Sequence, residues 1–142
     1  MGNNQVHPGQ IALEVTERGF ADPALSVPAI AAFRRAGHAI YIDDFGTGYS
    51  SLSYLQDLDV DTLKIDKSFV DALEYKNVTP HIIEMAKSLK LAMVAEGIET
   101  EGQIEWLHRH GVQYGQGWYF SKALPKEDFI LWAGHNLEKH IT

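Results

Sequence analysis

Five times along this chain a short apolar run rich in Ile, Val, Leu and Tyr gives way to a longer stretch of helical period. That alternation restricts the fold to repeated strand and helix units around a parallel sheet. Strands are predicted at 11–17, 38–43, 62–65, 92–95 and 112–117, with helices between them and one after the last. Helix punctuation agrees. Pro23 and Pro28 fall at or near a first turn, Gly37 follows AIAAFRRA as a C-terminal cap, and Thr100 precedes EGQIEWLHRH with Gln103 at the capping-box position. No low-complexity linker divides residues 1–142, so they read as one domain or part of one. A closed eight-stranded barrel takes about 250 residues. Five units in 142 residues are therefore either a small open sheet or a barrel without its opening strands, and length does not choose between them.

Polar groups gather at the downstream ends of these strands. Glu14 lies in IALEVTE, Asp43 and Asp44 close AIYIDDF, Lys64 lies in TLKID, Glu96 follows LAMVA, and Gln116 lies in VQYGQGW. Barrels and open parallel sheets build reaction sites at that end, and one polar residue per strand is what convergence on a single site requires. Each residue alone has an ordinary alternative. Glu14 or Glu17 can be a rim carboxylate, Asp44 can brace the turn FGTGYSS, and Lys64 can snorkel to the surface. The set is harder to explain that way, because parallel strands seldom bury carboxylates without partners.

Four carboxylates at one end of a sheet repel one another unless a cation sits among them. The chain has no cysteine, so a metal would rest on oxygen or imidazole donors, and oxygen donors favour magnesium, manganese or calcium. Two such ions can share a bridging carboxylate, activate water and stabilise both the attacking and leaving oxygens of a phosphodiester. Lys64 would then orient the water or neutralise developing charge. A net charge of −7, from 12 Lys plus Arg against 19 Asp plus Glu, argues against binding duplex DNA or RNA.

The loop from Gly46 through Thr47 to Ser51 has two glycines and reads as a flap, with Ser50 or Ser51 starting a helix over SLSYLQ. Its DFG is not kinase-like, because no H-R-D loop precedes it. None of the seven histidines lies in an H-E-x-x-H pattern, and none is assigned as a ligand. No apolar run reaches the eighteen or so residues of a membrane span, and MGNNQVHPGQ lacks the parts of a secretory signal. A cytoplasmic location is expected. An inner-membrane anchor on a longer parent protein is compatible with that.

LEVTE, DDFGTGYSSL, LKIDKSFV, VAEGIET and YGQGWYFSKALP, in this order between about Pro8 and Trp132, resemble the successive motifs of the EAL-domain family. The resemblance implies the later part of a TIM-like (β/α) barrel, about its last five strand-helix units. It also implies hydrolysis of cyclic di-GMP to linear pGpG in bacterial second-messenger signalling, with two magnesium or manganese ions and with calcium inhibitory. Carried over by motif, Glu14 and Asp43 resemble metal ligands, Asp43 bridging, and Asp44 and Glu96 resemble second-metal or water-mediated ligands. Lys64 resembles the lysine on the nucleophilic water, and Gln116 and Pro125 resemble substrate-pocket residues. Glu17 resembles the glutamate that anchors the DFGTG flap, which carries Thr47 and in the family links the site to a dimer interface. The Glu-Ala-Leu motif and the asparagine ligand of the next strand would precede residue 1, and YFSKALP departs from the commoner Arg-Pro after Ser.

The parent domain is thus expected to be a cyclic di-GMP phosphodiesterase. A nucleotide receptor or interaction module without chemistry is the competing expectation for this chain. A Schiff-base role for Lys64 is disfavoured, because Asp66 and the carboxylates would keep it charged. An open first strand predicts self-association through that edge or through the 50–56 helix, and the family implies a sensory domain upstream.

Overall fold

In the computed structural model, residues 6–16, 19, 22–45, 59–73 and 78–137 are described. A single 3-10 turn at Pro8–Gln10 leads into β1 (Ala12–Thr16) and then α1 (Pro23–Arg35). There follow β2 (Ala39–Asp43), β3 (Thr62–Ile65), α2 (Lys67–Asp71), α3 (Val78–Ser88), β4 (Ala92–Ala95), α4 (Glu101–Arg109), β5 (Tyr114–Gly115) and α5 (Lys126–Leu137). Helix starts follow local chemistry. Asp22 accepts from the Ala24 N–H ahead of Pro23, and Thr100 and Gln103 form the expected capping box. Gly37, at φ +97°, follows the last turn of α1 in the left-handed conformation its position requires. Pro28 differs from expectation: it lies inside α1, in the second turn. There it removes one helical N–H, which the early position and the buried Ile30 of the same helix tolerate.

The strands form one parallel sheet in the order β1-β2-β3-β4-β5. A doubly wound sheet reverses its strand order at a switch point, whereas a barrel adds strands in sequence. The unbroken order is that of an arc of a barrel, which resolves the choice that length left open.

The register decides which side chains share a face. Leu13 pairs with Ile40, Val15 with Ile42, Ile42 with Leu63, Leu63 with Met93 and Ile65 with Ala95. These apolar residues form one face, and Ile30, Val70, Ile82, Ile83, Ala86 and Leu107 from the helices pack into the same core. A fully buried Leu or Ile in such a layer contributes about 1.5–3 kcal/mol, so the register is strongly specified. Glu14, Tyr41, Asp43, Thr62, Lys64 and Val94 fall by the same pairing on the opposite face.

The outer strands are shorter than expected. β5 is two residues rather than 112–117, because side-chain and turn bonds replace the ladder on either side of it. Upstream, Gln113 Oε1 accepts the Met93 N–H at 2.8 Å. Downstream, the Ile98 N–H donates to the Gln116 carbonyl at 3.0 Å. No helix among the described residues is long and apolar enough to cross a membrane.

Candidate active site

Alternation along the strands brings the site together. Glu14 and Asp43 lie two residues apart in register, and Lys64 lies in line with Asp43. Glu96 and Gln116 come two residues after Val94 and Tyr114, which are themselves paired. All five therefore project toward one side, away from the apolar core. Lys64 is at the centre: its Nζ lies 2.8 Å from Glu14 Oε1, 2.8 Å from Glu96 Oε1 and 3.1 Å from Asp43 Oδ1. Its side chain is only 8% exposed, so it does not snorkel to solvent. Gln116 Nε2 donates to Glu96 Oε1 at 2.7 Å. All five strands or their ends thus contribute to one polar cluster.

Burial alone would lower the pKa of the Lys64 ammonium. Its contacts with Glu14, Glu96 and Asp43 outweigh burial and hold it above the ordinary lysine range. At neutral pH this lysine is a fixed cation. That state suits orienting and neutralising rather than accepting a proton or attacking a carbonyl, which disfavours the Schiff-base reading. Asp66 takes no part in that effect. Its Oδ1 accepts from the Ser68 N–H at 2.9 Å as the N-terminal cap of α2, a correction to the sequence-based expectation.

Three carboxylates around one ammonium leave a formal surplus of negative charge. The approach to Asp43 is the longest of the three, at 3.1 Å, and among the described residues the buried Asp43 Oδ1 has no further donor. Surplus charge, oxygen donors and an unsatisfied buried carboxylate oxygen suit a hard divalent cation in kind. They do not suffice in number: among the described residues no three Asp, Glu, His or Cys side chains converge closely enough to hold an ion. Donors beyond this cluster would be needed.

Asp44 follows Asp43 at φ +55°. In a regular strand two consecutive aspartates point to opposite faces, and the left-handed residue ends that alternation at the strand tip. Asp is among the few non-glycine residues that adopt this conformation readily. Glu17 and Thr47, together with the flap and the predicted SLSYLQ helix, lie outside the described residues. Pro125 is not drawn into the cluster. It precedes α5, where its carbonyl accepts from the Phe129 N–H at 2.9 Å. An open cavity of about 420 Å³ beside Gln116 is lined by Phe120, Leu124, Phe129 and Trp132, and Pro125 is not part of its wall.

The turn after β4 is laced to both neighbouring strand ends. The Glu96 N–H donates to Ile65 O at 2.9 Å, Gln116 N–H to Ala95 O at 2.9 Å, and Tyr119 N–H to Ile98 O at 3.0 Å. Gly97 has φ +68°, and a Cβ there would overlap the Cβ, Cγ and Cδ of Lys67. A Cβ on Gly117 would overlap the backbone of Ile98. Sequence reasoning passed over these glycines and Lys67. The glycine directly after Glu96 is the one signal that could have pointed to a tight turn.

Residues 1–123 match the EAL domain family, and the chain belongs to that family. It is 77% identical over 133 residues to a probable cyclic di-GMP phosphodiesterase, PdeB of Escherichia coli K12, covering 94% of this chain and 26% of PdeB. Among solved structures it resembles the PaMucR phosphodiesterase in complex with c-di-GMP, with a TM-score of 0.82 and 38% identity over 87% of this chain and 52% of that one. It also resembles Klebsiella pneumoniae BlrP1 in a manganese and cyclic di-GMP complex, with a TM-score of 0.74 and 33% identity over 82% of this chain and 31% of that one. The same BlrP1 is known with calcium. The chain spans about a quarter of the length of the curated relatives PdeB and PdeN. The likeness to these structures fits the barrel arc that the strand order defines.

Proposed function

We propose that this chain is the later part of an EAL barrel that hydrolyses cyclic di-GMP to linear pGpG, so that residues 1–142 are a portion of one barrel domain. One observation carries the reading: Lys64 is buried among Glu14, Asp43 and Glu96 at the downstream end of a parallel sheet, where barrels place their chemistry. The relatives' names and complexes support the same substrate.

Glu14, Asp43, Asp44 and Glu96 would hold two divalent ions, magnesium or manganese, with calcium inhibitory, together with donors supplied from outside this cluster. Those ions, when bound, supply water activation and charge stabilisation at phosphorus. The chain's own residues do the rest. Lys64, fixed as a cation, donates hydrogen bonds that aim the attacking water and neutralise charge building on the phosphate oxygens. Glu96 accepts from both Lys64 and Gln116, so its carboxylate is held in one orientation. Gln116 borders the apolar cavity beside Phe120 and Trp132, which suits a planar base; a substrate contact from Pro125 rests on the family motif alone. The water oxygen bonds to phosphorus as the bond to the 3′-oxygen breaks, leaving a 5′-phosphorylated dinucleotide. Glu17 and Thr47 would fasten the flap over this site.

The test is chromatographic detection of pGpG from cyclic di-GMP by the protein expressed from its whole reading frame in manganese buffer. Glu96→Gln should abolish turnover, and an unchanged rate would refute its role. A receptor without chemistry is favoured by a different observation: Lys64 already offsets part of the carboxylate charge, and among the described residues no three ligands meet. Calorimetry with calcium in place of magnesium separates the two readings, because a receptor binds equally with or without a catalytic ion. The outer edges of β1 and β5, beside which Ile11 and Tyr114 are 45% and 63% exposed, suit pairing with a second copy; the 50–56 segment, outside the described residues, is the alternative route. A stable monomer in light scattering would end that proposal. A sensory domain upstream and a cytoplasmic site of action complete the reading.

A further inference from the structure

Lys67 belongs to none of the roles above, yet it occupies the gap between the two strand ends that carry Lys64 and Glu96. It is the first residue of α2, three positions after Lys64. Its stem lies against Gly97, the residue directly after Glu96, so closely that no side chain could stand there. Its Nζ bonds Glu99 Oε1 at 2.9 Å and Asp71 Oδ1 at 3.0 Å. Glu99 is the last residue of the turn that begins at Glu96, and its N–H is capped by Gln103 Oε1 at 2.8 Å. On its other side the same turn is held by β5, through the two backbone bonds of Ile98.

We propose that Lys67 is a positioning residue for Glu96: with Glu99 and Gly97 it clamps the β3 and β4 ends together, so that the Glu96 carboxylate meets Lys64 and Gln116 at once. This rests on the catalytic reading for its purpose and on local geometry for its substance. The physical case is one of geometry more than energy. The side chains of Lys67 and Glu99 are about half exposed, 45% and 43%, so solvent screens the pair and its contribution to overall stability is small. What the pair controls is the path of a four-residue turn whose left-handed glycine tolerates several backbone routes. A carboxylate displaced by even 1 Å would miss one of its two donors, and catalysis is sensitive to displacements of that size. The methylene stem serves as much as the charge does, because it fills the space that selects glycine at position 97.

The experiment reads the clamp directly on this chain. The side-chain amide protons of Gln116 report its bond to Glu96 in a two-dimensional NMR spectrum. Lys67→Met keeps most of the stem and removes the charge. It should move the Gln116 amide resonances and speed their exchange by about three- to fivefold, the size an exposed ion pair supports, while the Ile42 and Leu63 amides of the core stay in place. Glu99→Gln should do the same, the double variant should do no more than either, and Lys67→Arg should restore the native signals. Unmoved Gln116 resonances in a folded Lys67→Met, or core shifts as large as those at Gln116, would overturn the proposal. If Lys67→Met fails to fold, Glu99→Gln alone decides it by the same signals. In the whole protein the same variants should lower kcat with KM little changed. Absence of hydrolysis by the unaltered protein would sink the catalytic reading and leave the NMR result standing on its own.

Discussion

Two ion-pair clusters, each centred on one cation, sit at the two ends of the same sheet, and they are built to different standards. At the upstream end Arg34 bonds Asp59 Oδ2 and Asp61 Oδ2, each at 2.6 Å, and Asp61 Oδ2 also accepts the Ile40 N–H at 2.8 Å. The Asp61 backbone adds bonds to Ile40 O and from Ala92 N–H, each 3.0 Å, so this cluster ties α1, β2 and β4 together. Its side chains reach solvent, with Asp59 77% exposed. At the downstream end one buried ammonium faces three carboxylates, and among the described residues a buried Asp43 oxygen has no donor beyond it. The first cluster is satisfied as it stands. The second is short of positive charge, an imbalance that a bound cation would relieve. In barrels this division is expected, with stability at the upstream face and chemistry at the downstream face.

The largest test of that contrast is to remove each central cation. Lys64→Met should cut cyclic di-GMP hydrolysis by roughly 10²-fold or more, the size seen when one preorganised donor is lost; a loss below tenfold in initial-rate assays would mean the cluster is structural at both ends. Asp61→Ala, by contrast, should leave the rate per folded molecule unchanged. It should cost about 1–2 kcal/mol in urea unfolding, a hydrogen-bonded charge discounted for the solvent around it. A changed rate there would erase the division of labour.

The pH response should split the clusters further. The folded-state pKa of Asp61 is lowered: burial would raise it, but the bonds from Arg34 and from the Ile40 N–H prevail. Its contribution is therefore present above the unfolded value of about 3.9 and is lost as pH falls through the still lower folded value. The pKa of Lys64 is raised, so its contribution is intact below about pH 10.4 and fades only as pH rises beyond it. Thermal melts of Asp61→Asn should lose slope on the acid side below about pH 4, and those of Lys64→Met on the alkaline side above about pH 10. Identical pH profiles for the two variants would contradict the assignment. The smallest effect belongs to the left-handed tip: Asp44→Ala should be less stable than Asp44→Gly by about 1 kcal/mol, because alanine meets the Cβ penalty that glycine escapes.

Much of this was legible before any coordinates. Short strands at 62–65 and 92–95 and the cap at Thr100 follow from runs of apolar residues and from cap chemistry, both local. The polar residues at strand ends are legible for the same reason, since each interrupts a run that burial would otherwise make apolar. What was not legible depends on distance along the chain. Asp66 looked like a partner of Lys64 because it is near in sequence, but a cap satisfies it. Lys67 was passed over because its partner Glu99 is 32 residues away. Pro28 looked like a proline at or near a first turn because two prolines five residues apart, Pro23 and Pro28, each suit that position.

Pattern alone determined that strands and helices alternate, that carboxylates and one lysine close the strands, and which family motifs stand in which order. Only the tertiary structure decided the unbroken strand order of a barrel arc, the shared face of Glu14, Asp43, Lys64 and Glu96, and the lacing of the β4 turn to both its neighbours. The reason is physical: apolar period and capping act within a few residues and are written locally, whereas register and convergence come from packing between segments that the sequence keeps far apart.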